Sequence, residues 1–325
     1  MTQLVSQLTL SEKASLLSGA DKWRTKEIPR MGLAAVTVAD GPHGLRKEVI
    51  DPVKGLYTVR STCFPTACAT ACSFDRRLLH RVGVALAEEC RAEDVDVLLG
   101  PGLNCKRSPL CGRNFEYFSE DFVVSGELAA AYIQGVQSLG VGTSMKHFAL
   151  NNQEYRRLSI DAVVDERAMF ELYLSSFERV LRHVQPWTVM CSYNRVKGIN
   201  ASDNKWLLSD VLRTKFGFTG LVMSDWGAVN DRVAGVSAGL DLEMPYVGPY
   251  HDNQIEQAVA SGKLTEAEVD RCVSRVIALA ERAKSRTKVP FDTQEHHALA
   301  REVAAQSAVL LKNEAALLPL ANGKR

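Results

Sequence analysis

One rhythm constrains this chain more than any other feature. Short, nearly all-apolar runs end in polar or glycine-rich residues, and an amphipathic helical pattern follows. The runs fall at 36–40 (VTVAD), 64–70, 95–99 (VDVLL), 142–147, 187–193 (WTVMCSY), 219–224 (TGLVMS) and 240–244. A strand that is apolar on both faces has to be covered on both, as in a parallel sheet flanked by helices. Helical periodicity occupies 75–93, 120–139, 166–181, 205–216, 253–261 and 265–284. Thr9 with Glu12, and Thr265 with Glu268, have the spacing of capping boxes and predict helix starts. Strand–helix alternation over about 280 residues leaves two architectures, a (β/α)8 barrel or a doubly wound sheet. Neither GxGxxG nor GxxxxGK[ST] occurs, which weighs against the nucleotide-binding folds. The expected fold is therefore α/β, a (β/α)8 TIM-type barrel. Seven strands are legible, so one is missing, irregular or reversed.

The pattern changes after position 284. Residues 285–294 (SRTKVPFDTQ) read as a linker, a helix is expected over about 295–307, and the apolar run AVLLKNEAALLPL follows. This divides the chain into a barrel at 1–284, a linker at 285–294 and the first element of an incomplete second domain at 295–325. The alternative is a C-terminal tail that packs back on the barrel.

Composition excludes several classes of function. Lys plus Arg number 39 and Asp plus Glu 38, and a net charge of +1 provides no basic field for a nucleic acid. No apolar run approaches the ~20 residues of a membrane span. The opening MTQLVSQLTLSEK lacks the basic start and apolar core of a signal peptide, so a cytoplasmic location is expected. The eight cysteines are expected to be reduced. Cys63, Cys68 and Cys72 read as small apolar residues, since no fourth metal ligand stands at a familiar spacing. His296-His297 has no acidic neighbours at ligand spacing. Asn200-Ala-Ser is a glycosylation sequon that is chance without a secretory route.

The residues that could carry chemistry stand where the apolar runs stop. Asp225 ends GLVMSDW. A carboxylate at a strand mouth beside Trp226 suits attack on a sugar carbon, because the transition state is oxocarbenium-like and a sugar ring stacks on an indole. The same Asp could be a helix N-cap. Asp40 ends VTVAD, where a carboxylate could grip two neighbouring hydroxyls, or simply open an Asp-Gly-Pro turn. Arg46 lies just beyond, as a site residue or a solvated charge. Lys146 and His147 are adjacent and reach one ligand only if the backbone is irregular, since successive strand residues face opposite ways. Arg113 could hold hydroxyls or form an internal ion pair with Glu116 or Glu120. Tyr193 closes TVMCSY as a site hydroxyl or a core ring, and Asn151 to Arg157 form a polar cluster read as a loop and helix start. Asp40, His147, Tyr193 and Asp225 end different strands, and in a barrel those ends share one mouth.

ADGPHGLR (39–46), GRNFEYFSED (112–121), KHFALNNQEYRR (146–157), MCSYN (190–194) and SDW (224–226) resemble the β-glucosidase branch of glycoside hydrolase family 3. The resemblance runs in order over almost the whole chain. The tail SAVLLKNEAALLPL resembles the start of that family's second, α/β-sandwich domain. It implies a retaining exo-β-glucosidase, acting on terminal non-reducing β-D-glucosyl residues, with no cofactor and no metal. By position, Asp225 matches the nucleophile and Asp40 the carboxylate that grips sugar hydroxyls. Arg113, Lys146 and His147 match further hydroxyl ligands. Arg46, Arg157 and Tyr193 match residues lining the site, and Trp226 the aromatic beside the nucleophile. It also implies a non-prolyl cis peptide at Lys146–His147 or His147–Phe148.

Two departures stand out. Phe122 replaces the usual Pro after SED. The acid/base Glu of this branch belongs to the second domain, and no Glu here matches it by motif. Glu154 and Glu243 are the nearest by position at strand ends. A barrel acid of the KHFPGHG type is not expected, because the motif here is KHFALNNQE. The implied partners are a β-glucoside or oligosaccharide and the missing second domain. Neither nucleic acid nor membrane is among them, and a homo-oligomer is compatible. Readings that remain beside β-glucosidase are a β-xylosidase or α-arabinosidase, or a sugar-binding fragment without turnover.

Overall fold

The computed structural model describes residues 2–53, 55–284 and 288–320. Its centre is one parallel sheet of β1 (Val38–Ala39), β2 (Val97–Leu98), β3 (Gly142–Phe148), β4 (Thr188–Cys191) and β5 (Leu221–Met223), in that spatial order. Every residue of these strands is buried. Burial on both faces explains why each run reads as unbroken apolar sequence. Spatial order follows chain order, so each crossover returns the chain to the next place in the sheet.

Two expected strands come out differently. Residues 64–70 form no strand: Ala67–Thr70 is a helical turn that continues into a 3-10 turn at Ala71–Ser73. Its alanines favour helix, and Pro65 stands just ahead of the turn. Residues 240–244 form no ladder. Leu242 bridges Met223 and Glu243 bridges Ser18, which carries the curve of the sheet back to the N-terminal segment through single contacts.

The helices follow their signals closely. Helix α1 (Leu10–Leu16) and helix α4 (Glu266–Ala283) begin at complete capping boxes on Thr9 and Thr265. Asp75 caps α2 (Arg76–Ala92) and Asp121 caps α3 (Phe122–Gln137) by accepting backbone N–H bonds. The expected helix at 166–181 is broken by a π-helical stretch, Met169–Tyr173, before Ser175–His183. Trp206–Lys215 is π-helical throughout, and Tyr250–Ala260 starts before the expected 253.

The expected linker lies partly outside the described residues, at 285–287. Helix α5 (Thr293–Ser307) packs back on the 67–73 turns and on α2. His296 is buried there, 2.8 Å from Glu88 and 2.8 Å from Glu89 of α2. The fold thus supplies the acidic neighbours that the local sequence lacks. Beyond α5, Val309, Leu310, Leu311, Leu317 and Leu318 are exposed. The eight cysteines are free thiols, and no described helix is long and apolar enough to cross a membrane.

Helices α2 and α3 approach closely through Gly83 and Gly135. A Cβ at Gly135 would lie 2.2 Å from the carbonyl oxygen of His80, and one at Gly83 2.4 Å from that of Tyr132. Alanine gains about 1 kcal/mol of helix propensity over glycine. Forcing a methyl against rigid backbone costs about 1–3 kcal/mol, and that term wins. Gly135→Ala should therefore lower the urea midpoint, by up to about 2 kcal/mol of stability. A midpoint equal to or above that of the parent chain would contradict this packing.

Candidate active site

Because the sheet is parallel, the C-terminal ends of its strands share one edge. Asp40 follows β1 directly. Gly41, at φ 113°, turns the chain so that the Arg46 N–H donates to the Asp40 carbonyl at 2.9 Å. The expected Asp-Gly-Pro turn is present, and it sets the Asp40 carboxylate at the strand end beside Lys146. Lys146 and His147 lie near the end of β3, Tyr193 two residues after β4, and Asp225 two after β5. Cis peptides join Lys146 to His147, as the resemblance implied, and Phe148 to Ala149, one residue beyond the alternative. Asn104 holds the His147 backbone from both sides. It donates to the His147 carbonyl at 2.9 Å and accepts from the His147 N–H at 2.9 Å.

The charged groups form one network. Lys146 Nζ lies 3.0 Å from Asp40 Oδ1 and 3.9 Å from Glu116 Oε2. Arg113 pairs with Glu116 through Nε, and its Nη1 stands 3.9 Å from Asp225 Oδ2. The expected ion pair with Glu116 forms, and the same guanidinium still approaches Asp225. His147 Nε2 is 3.6 Å from the same Asp225 oxygen. Asp225 Oδ1 accepts from the Trp226 N–H at 2.7 Å. Asp225 Oδ2 and His147 Nε2 are both buried without a hydrogen-bond partner among the described residues. They stand 3.6 Å apart, each with hydrogen-bonding capacity unused among the described residues.

Burial decides the protonation states. It pushes the Asp225 carboxyl above its usual range, against the pull of Arg113 and Lys146. Burial also pushes Asp40 up, but there the nearby Lys146 ammonium wins and the net shift is downward. His147 is driven well below the usual histidine value by burial, then by Arg113 and Lys146, so its ring is neutral. His43 is half-buried, and desolvation lowers its pKa to about 4, with its Nε2 accepting from the Ala67 N–H at 2.9 Å.

Aromatic rings wall the mouth. Trp226 stands 5.3 Å from Trp23, centroid to centroid, and its indole N–H donates to the Lys22 carbonyl at 2.9 Å. Tyr193 donates to the Trp226 carbonyl at 3.0 Å, and Arg157 lies 4.6 Å over the Tyr193 ring. Arg46 departs from expectation. Its backbone belongs to the turn, but its guanidinium is largely exposed and lies 3.8 Å from Glu48. Residues 151–157 form turns and extended chain, with no helix start. Glu154 pairs with Arg157 at 2.9 Å, and Glu243 lies between Arg232 and His251. Sequence reasoning missed Trp23, Asn104 and Tyr117 as members of the site. Tyr117 lies inside GRNFEYFSED, so that motif was the available signal. Asn104, in the stretch GLNC, had none.

The Lys146–Asp40 pair has a measurable consequence. With the folded pKa of Asp40 lowered, its contribution is fully present above the unfolded value of ~3.9 and is lost as pH falls through the lower folded value. Lys146→Met should remove this acid-sensitive part. At neutral pH it should destabilise by roughly 2 kcal/mol, less than the ~3–5 of a fully buried pair, because the Asp40 side chain is 34% exposed. Urea titrations at neutral and acid pH would test this, and a variant that tracks the parent chain at both would contradict it.

Comparison with known proteins agrees with this geometry. The family described as "Glycosyl hydrolase family 3 N terminal domain" matches residues 48–279. Thermostable beta-glucosidase B of Acetivibrio thermocellus is 52% identical over 98% of this chain and 43% of its own length. An exo-alpha-(1->6)-L-arabinopyranosidase of Bifidobacterium breve is 47% identical, also over 98% and 43%. Among solved structures, the GH3 beta-glucosidase of Bifidobacterium adolescentis has a TM-score of 0.92 at 47% identity, covering 98% of this chain and 46% of that one. Beta-glucosidase 3B of Thermotoga neapolitana, solved with glucose, has a TM-score of 0.92 at 40% identity, covering 98% and 48%. The chain thus spans less than half the length of these relatives. With the family's domain matched over most of its residues and its fold reproduced throughout, this chain belongs to glycoside hydrolase family 3.

Proposed function

We propose that the chain carries the sugar pocket and nucleophile of a retaining exo-β-glucosidase. The observation that carries this reading is Asp225: a buried carboxylate whose Oδ2 is unbonded among the described residues, facing Arg113 and His147. Asp225 attacks the anomeric carbon and forms a glycosyl-enzyme. Asp40, Arg113, Lys146 and His147 hold hydroxyls of the terminal glucosyl unit. Trp226 and Trp23 give its ring an apolar wall, and Tyr193 and Arg157 close the side. No metal or cofactor enters the scheme.

Retention requires a second carboxyl about 5–5.5 Å from the nucleophile, acting as acid and then base. Glu116, Glu154 and Glu243 are each committed to a cation. By the family resemblance, the acid/base is a Glu of the second domain, whose start the 295–325 segment resembles. On the same reading, residues 1–284 form a (β/α)8-type barrel. The bridges of Leu242 and Glu243, which carry the curve past β5, support that closure.

A second reading rests on the arabinopyranosidase at 47% identity. An arabinopyranose lacks the sixth carbon of glucose. A comparison of aryl β-glucoside with aryl α-arabinopyranoside separates the two.

The test of the nucleophile uses an activated 2-deoxy-2-fluoro-β-glucoside, whose leaving group needs little acid. Peptide masses should place a fluoroglucosyl adduct on the Asp225 peptide of the 325-residue chain, and Asp225→Asn should form none. Only the ionised carboxylate attacks, and burial holds the Asp225 pKa above its usual range. The labelling rate should therefore fall with acid along a limb above the ~3.9 of an ordinary Asp. Arg113→Gln, which removes the foremost opposing charge, should move that limb higher still. No adduct from a folded chain, or an adduct elsewhere, would overturn the assignment.

A further inference from the structure

A line of hydrogen bonds runs from the edge of the site to the His147 ring. Arg157 Nη1 donates to Glu154 Oε2 at 2.9 Å. Glu154 Oε1 accepts from Asn151 Nδ2 at 3.3 Å. The same Nδ2 donates to the Tyr117 hydroxyl oxygen at 3.0 Å. That hydroxyl lies 3.1 Å from His147 Nδ1. Tyr117, Asn151 and His147 are all buried.

The direction of each bond follows from the one before it. A carboxylate can only accept, so Glu154 orients the Asn151 amide with its NH2 group toward both Glu154 and Tyr117. The Tyr117 oxygen then accepts from Asn151, and its single proton is left to point at His147 Nδ1. Burial pushes the Tyr117 phenol well above its usual value, so that proton is retained. A neutral imidazole that accepts at Nδ1 carries its own proton on Nε2. The far side of the ring agrees. Nε2 stands 3.6 Å from Asp225 Oδ2, where an N–H is attracted and a lone pair would be repelled.

We infer that Tyr117, oriented through Asn151 by Glu154, is a positioning residue that fixes His147 as the Nε2–H tautomer, a donor aimed into the sugar pocket. The value of that donor rests on the glucosidase reading above; the tautomer itself does not. Glu154 thereby acquires a place in the site as the fixed acceptor at the start of the line, two residues removed from the imidazole.

The test is made on the full 325-residue chain without sugar. Histidine is labelled with 15N at both ring nitrogens, and the His147 signals are identified by their loss in His147→Gln. At neutral pH, Nε2 should be protonated and Nδ1 bare, with a scalar coupling from the Tyr117 hydroxyl proton to Nδ1. In Tyr117→Phe the single-tautomer pattern should be lost, the two nitrogens moving toward averaged shifts. Labelling by the fluoroglucoside should slow about tenfold, the worth of one well-made hydrogen bond. Should Tyr117→Phe not fold, Asn151→Ala serves, because a Tyr117 hydroxyl freed of its donor can also accept from Nδ1. A mixed tautomer is then expected. An Nδ1–H ring or an imidazolium in the parent chain would overturn the inference, as would an unchanged spectrum in the variant that folds. Because no sugar is present, a negative tautomer result leaves the glucosidase reading standing, and a missing adduct leaves the tautomer result standing.

Discussion

A carboxylate taken out of water sets the terms for the rest of this molecule. Asp225 is only 7% exposed, and burial alone would favour its neutral form. Two cations stand against that tendency, and each is already committed elsewhere, Arg113 to Glu116 and Lys146 to Asp40. Asp225 is therefore attracted to Arg113 without being bound by it, at 3.9 Å. A direct bidentate pair would satisfy the carboxylate and block its second oxygen. Holding the cations on other acids keeps Oδ2 open while still opposing the burial penalty.

That arrangement demands accuracy from backbone that is not regular. Lys146 and His147 are neighbours in sequence, yet both contribute to one mouth. The Asn104 amide grips the His147 peptide at both its N–H and its carbonyl. Arg113 precedes a single 3-10 turn, Asn114–Glu116, which brings Glu116 beneath its guanidinium. The parallel sheet provides a rigid edge, and short turns fastened by side-chain amides provide the final placement. The close α2–α3 contact behind the sheet, through two glycines, belongs to the same rigid frame.

The legible parts of the sequence are those with a local physical signature. Asp40, His147, Tyr193 and Asp225 could be picked out because apolar runs stop at them. Thr9 and Thr265 could be read as caps because the capping box is a four-residue pattern. The run at 64–70 misled because Phe, Pro, Ala and Cys are apolar enough for a buried strand, while the alanines fold just as readily into a turn of helix. The partners of His296 were invisible for a different reason: Glu88 and Glu89 lie 208 and 207 residues away. Asn104 belongs to the same class, since only the assembled fold brings its amide to His147.

The charge balance of the mouth brings these strands together. Asp40, Glu116 and Asp225 oppose Arg113 and Lys146 within one connected network, which leaves one net negative charge so long as His147 is neutral. On the proposed function, glycoside cleavage through an oxocarbenium-like transition state builds positive charge on the sugar, which a residual negative charge at Asp225 would stabilise. A protonated His147 would cancel that charge and place a cation 3.6 Å from Asp225 Oδ2. Burial, Arg113 and Lys146 all act to keep the ring neutral, and the Tyr117 hydroxyl decides which nitrogen keeps the proton. The same low-dielectric setting makes both His147 costly to charge and Asp225 costly to ionise; the first cost keeps the ring neutral, and Arg113 and Lys146 oppose the second.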